Sequence, residues 1–154
     1  GNMVLYDPKD KSMRRLTFDQ DANWNPVIMN NGRVMYTRWE YTDLTHYYSR
    51  IVMHMNPDGT ENKALYGSGA MFPNSTFDVQ PLPGHGSAFV GIISGHHGVA
   101  RSGRMIIFDP TKGRKSTAGM VQEIPHRTTN TSWLQPSWTR MPCGDSIWWT
   151  STTT

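Results

Sequence analysis

Cysteine is nearly missing from this chain: Cys143 stands alone among 154 residues. That count excludes an intrachain disulfide, a cysteine-rich zinc site and the CxxCH motif that tethers c-type haem. Long apolar runs are missing too. No stretch reaches the roughly 18 consecutive apolar residues of a membrane-spanning helix, and no signal-peptide pattern is present. Charge of one sign is scarce, with 15 Lys and Arg against 12 Asp and Glu. The densest basic cluster is the short "KGRK" of residues 112–115. A nucleic-acid-binding surface gathers its positive charge into a stripe, so nucleic acid is not expected as a partner. Helical periodicity is also absent, while 14 glycines and 10 prolines punctuate the chain.

What remains is strand. "GRVMYTRW" (32–39) alternates, with Val34, Tyr36 and Arg38 on one face and Met35, Thr37 and Trp39 on the other. "SRIVMHM" (49–55) puts Ile51, Met53 and Met55 on a shared face, where the methionines are expected to fill core gaps. "AFVGIIS" (88–94) is almost continuously apolar, as in a strand covered on both sides, and "RMIIFD" (104–109) is a fourth strand.

Turns recur between these strands. Asp7-Pro8, Asn56-Pro57 and Asp109-Pro110 follow strand-like segments, at separations of 49 and 53 residues. Proline presets φ for a turn, and Gly59 and Gly113 are expected to supply the positive φ that closes the later two. A unit of about 50 residues with roughly four short strands is the pattern of a β-propeller blade. The expected fold is therefore all-β: an incomplete propeller of two complete four-stranded blades plus the start of a third. A β-sandwich is the alternative. Open sheet edges need covering, so a homo-oligomer formed through those edges, or pairing with other parts of a larger parent protein, is expected.

The segment "LYDPKDKSMRRLTFDQDANWNPVIMNNGRVMYTRWEY" resembles the TolB/WD40-like propeller repeat. "GRVMYTRWEYTDLTHYYSRIVMHMNPDGT" and "SGHHGVARSGRMIIFDPTKGR" are similar to the propeller region of the hydrazine synthase alpha-subunit family, which includes many large bacterial proteins. The resemblance runs from about Leu5 to Arg127. It implies a propeller scaffold or docking module in an exported protein, periplasmic or at the cell surface. In that enzyme the haem domains lie outside the propeller. Since this chain has no CxxCH, the resemblance implies no catalytic residue and no cofactor here.

Residues 1–127 thus read as partial propeller repeats, and 128–154 as an atypical tail. The tail loses alternation, holds four of the six tryptophans and ends in threonines. One reading is a loosely packed terminal segment. Another uses the single tryptophan codon, which fixes much of the DNA beneath "IWWT". Shifted by two bases, the DNA for "IWWTSTTT" (147–154) can encode the strand-like "LVDVYDN". A frame slip between Arg127 and Trp148 in a longer protein is the expectation.

Two clusters carry chemistry. His96 and His97 in "GHHG", joined by His85 of "PGHGS", form the metal candidate, with zinc as the ion. Adjacent residues on a strand point to opposite faces, so the pair chelates only from a loop; the competing role is loop anchoring. In "TRWEYTD", Arg38, Glu40 and Asp43 offer a charged network, with Trp39 and Tyr41 beside it and Tyr47 and Tyr48 following. Glu40 and Asp43 could act as an acid/base pair, or pair with Arg38 to fix a connection. The aromatic residues suggest carbohydrate or peptide binding. Three functions follow: a non-catalytic scaffold or protein-interaction module, a metal-binding or hydrolase-like propeller using the loop histidines, and a carbohydrate- or peptide-binding surface.

Overall fold

The computed structural model describes residues 1–39, 50–68, 75–94, 103–115 and 117–124. These residues form ten strands and no helix, in three antiparallel sheets that do not close. Strands β1 (Val4–Asp7) and β2 (Ser12–Arg15) make a hairpin. Strands β3 (Ala22–Ile28), β4 (Val34–Trp39), β5 (Arg50–Met55) and β6 (Lys63–Tyr66) make a four-stranded meander in chain order. Strands β7 (Thr76–Pro81), β8 (Phe89–Ile93), β9 (Arg104–Phe108) and β10 (Met120–Ile124) make a second one.

The four strands expected from alternation and apolar runs correspond to β4, β5, β8 and β9. Strand β3 contains Pro26 and β7 ends on Pro81, and both strands lie at sheet edges. Proline removes a ladder donor, so an edge or a bulge is where a sheet tolerates it. Both strands also slip register at corresponding points, between Trp24 and Val27 and between Phe77 and Gln80.

The three Asp/Asn-Pro pairs fall in the β1–β2, β5–β6 and β9–β10 connections, so they mark the last hairpin of each sheet. The two-stranded unit therefore precedes the two four-stranded ones, where the sequence puts the incomplete unit after them. The pairs shape their turns directly. Lys9 N donates to Asp7 Oδ1 at 2.9 Å and Thr111 N to Asp109 Oδ1 at 3.0 Å. Gly59 N donates to Asn56 O at 2.9 Å. Gly59 holds the expected positive φ, at 88°. Gly113 does not. It is needed for close approach instead, because a Cβ there would lie 2.5 Å from that of Ala118.

The β3–β6 sheet is covered on both faces. Val52 and Tyr66 pack on one side against Ile106 and Phe108 of the following sheet. The Tyr66 and Phe108 rings stack at 4.4 Å. On the other side Met53 and Met55 pack with Met3 and Leu16, which flank the first hairpin. Ile51, Met53 and Met55 do share that face, as period-two alternation requires.

Candidate functional site

Among the described residues, an aromatic and charged cluster is built where β3, β4, β5 and β7 meet. Arg50 opens β5 directly opposite Trp39, the last residue of β4. Its guanidinium carbon lies 5.0 Å from the Trp39 ring, 5.8 Å from Trp24 and 5.8 Å from Phe77. Trp24 and Trp39 stack at 5.5 Å with 22° between their planes. Arg50 Nη1 also reaches Ser75 Oγ at 3.4 Å, and the two residues form an isolated parallel bridge. With 1% of its surface exposed, Arg50 is sealed inside the protein. Burying a cation is costly unless compensated; ring faces and hydrogen-bonding groups provide that compensation. Phe77 lies in β7 and Ser75 directly precedes that strand, so the guanidinium joins two sheets.

Beside it lies a cleft of about 230 Å³ lined by Trp24, Asn25, Phe77 and Asp78. Asn25 and Asp78 occupy the register slips of β3 and β7, with φ of 53° and 49°. Asn25 Nδ2 donates to Asp78 Oδ1 at 2.7 Å. Asn and Asp tolerate the left-handed region better than other side-chain-bearing residues, which suits them to these bulges.

A second polar cluster joins the turns at one sheet end. Arg33 Nε donates to His54 Nδ1 at 2.9 Å, Arg33 Nη2 to Glu61 O at 2.8 Å, and Arg33 Nη1 to Asn56 Oδ1. Burial pushes the His54 imidazole down to a pKa of about 4, assisted by the positive charges of Arg33, Lys63 and Arg114. His54 is therefore neutral at pH 7, as an acceptor for Arg33 must be.

Of the residues singled out in the sequence, Arg38 pairs through Nε with Asp19 Oδ1 at 3.1 Å, and Trp39 stands against Arg50. Glu40, Tyr41, Asp43, Tyr47 and Tyr48 lie outside the described residues, as do His96 and His97. His85 is exposed on the β7–β8 turn, where its backbone oxygen accepts from Asn30 Nδ2 at 2.9 Å. No group of three His, Cys, Asp or Glu is arranged to hold a metal ion among the described residues. Sequence reasoning passed over Arg50, Trp24, Phe77, Asn25, Asp78 and His54. The 53-residue spacing of Asn56 and Asp109 also separates Trp24 from Phe77 and Asn25 from Asp78. Extending that spacing to the strands would have found both pairs.

Fold and site together define an all-β protein of successive antiparallel sheets, with an aromatic–cation cluster placed between two of them among the described residues. Comparison with known families, curated proteins and solved structures finds no match. No helix among the described residues is long and apolar enough to cross a membrane.

Proposed function

We propose that this chain is a stretch of β-propeller acting as a non-catalytic scaffold and protein-interaction module, within a larger exported bacterial protein of the periplasm or cell surface. The observation that carries this reading is the sealed Arg50 cluster. The residue types best suited to grip a ligand, a guanidinium and three aromatic rings, are used to fasten one sheet to the next. The register slips of β3 and β7, 53 residues apart at Asn25 and Asp78, support reading the meanders as consecutive blades. The partners on this reading are further sheets of the same kind.

Sequencing the gene on both sides of the coding region for residues 1–154 tests it. The expected result is further Asp/Asn-Pro hairpins every 49 to 53 residues, in the same frame or the frame shifted by two bases. Flanking frames that encode no such repeats would overturn the propeller reading.

A ligand-binding reading has the cleft beside Trp24 and Phe77 in its favour. Quenching of tryptophan fluorescence by an oligosaccharide, abolished in Trp24→Ala, would support it over the scaffold.

A further inference from the structure

Three pairs of residues occupy corresponding positions at the β1–β2, β5–β6 and β9–β10 hairpins of the three sheets. They are Met3 with Leu16, Val52 with Tyr66, and Met105 with Ile124. Each pair is matched across its ladder: Leu16 N donates to Met3 O, while Val52 faces Tyr66 and Met105 faces Ile124 in register. Met3, Val52 and Met105 each stand four residues before an Asp/Asn-Pro turn.

The first two pairs do the same work. Met3 and Leu16 pack on Met53 and Met55 of the following sheet. Val52 and Tyr66 pack on Ile106 and Phe108 of the sheet after that. The third pair has no such cover among the described residues. Val52 and Tyr66 are 0% exposed, whereas Met105 is 45% exposed and Ile124 44%.

The receiving positions repeat as well. Met53 and Met55 stand three residues and one residue before Asn56, and Ile106 and Phe108 stand likewise before Asp109. Val4 and Tyr6 hold the same places before Asp7, and each is 53% exposed. The chain thus carries both halves of one contact, the half that covers and the half that receives, on its last and first sheets.

Resting on the reading of the sheets as successive units, we infer that a second copy of this chain docks head to tail. Met105 and Ile124 of one copy pack on Val4 and Tyr6 of the other, repeating the contact that Val52 and Tyr66 make on Ile106 and Phe108. The two patches differ, so the contact is heterologous, and it grows into a ring or an open array according to whether its rotation closes.

Analytical ultracentrifugation of the 154-residue chain and two variants, Tyr6→Asp and Ile124→Asp, tests this. Each substitution puts a charge on an exposed position, and far-UV circular dichroism with a thermal melt checks the fold. Val4→Asp and Met105→Asp stand in for a variant that melts early. The expected result is concentration-dependent association of the unaltered chain, weakened at least tenfold in each variant. Mixing the two variants should restore a one-to-one complex, because one keeps its Met105/Ile124 patch and the other its Val4/Tyr6 patch. A monomer at every concentration, association untouched by either charge, or a mixture that stays monomeric would each overturn the proposal. A monomeric chain whose gene is flanked by further repeats would sink the second-copy contact while leaving the propeller reading in place.

Discussion

Asn25 and Asp78 stand 53 residues apart, and the amide of the first donates to the carboxylate of the second at 2.7 Å. Both hold φ near 50° at the register slip of an edge strand. Asp78→Ala loses the hydrogen bond and places a methyl-bearing residue in the left-handed region, at a cost of about 2 kcal/mol. Asp78→Gly loses only the bond and should cost about half as much. Urea denaturation separates the two; equal midpoints would show that backbone conformation at this bulge carries no energy.

Arg50 is the substitution site with the largest expected effect. Arg50→Ala leaves a cavity among Trp24, Trp39 and Phe77 and should cost about 3 kcal/mol or more. Arg50→Lys keeps the charge but loses the flat guanidinium that lies along the rings, and should fall between the two. A denaturation midpoint for Arg50→Lys equal to that of the unaltered chain would refute the importance of ring stacking.

Two glycines at positive φ separate strain from crowding. Gly32, at 80°, has open space where a Cβ would sit, so Gly32→Ala should cost about 1 kcal/mol from conformation alone. Gly59, at 88°, would bring a Cβ within 2.9 Å of Leu16 O. Gly59→Ala should cost at least about 1 kcal/mol more, because backbone must move to make room. Thermal melts of the two variants give the comparison.

His54 gives the protein an acid-sensitive element. Its folded pKa of about 4 lies below the ordinary 6.5, first through burial and then through the charges of Arg33, Lys63 and Arg114. Between those values the unfolded chain binds the extra proton, so stability falls as the pH falls. The neutral form contributes fully above about pH 6.5, and its contribution is lost as the pH drops through about 4, with a limit of about 3 kcal/mol. His54→Gln keeps an acceptor for Arg33 and removes the titration. Its stability should vary less between pH 7 and pH 4, and an unchanged slope would exclude His54 as the source.

Much of the fold was legible because β4, β5, β8 and β9 are written in apolar residues at strand spacing. Strands β3 and β7 were hidden by Pro26, Pro81 and the polar Asn25 and Asp78, all of which resemble turn residues until the sheet edge and its bulges are seen. Trp39 and Arg38 were picked out beside Glu40 and Asp43 in the sequence. The described contacts of that pair run to Arg50, Trp24 and Asp19, each more than ten positions away. A cation held by rings from three other strands leaves no local pattern, since it exists only once the sheets have stacked. Met53 and Met55 were easier, since alternation alone placed them with Ile51 on a face expected to be interior.

Arg50 also bears on how the molecule comes apart. A guanidinium anchored in one sheet and surrounded partly by the next makes the free energy of each sheet depend on its neighbour, as in a chain of coupled repeats. The two four-stranded sheets should therefore lose amide protection together, as a single cooperative block. The β1–β2 hairpin, whose strand residues are all exposed, sits outside that block and should exchange its amides first.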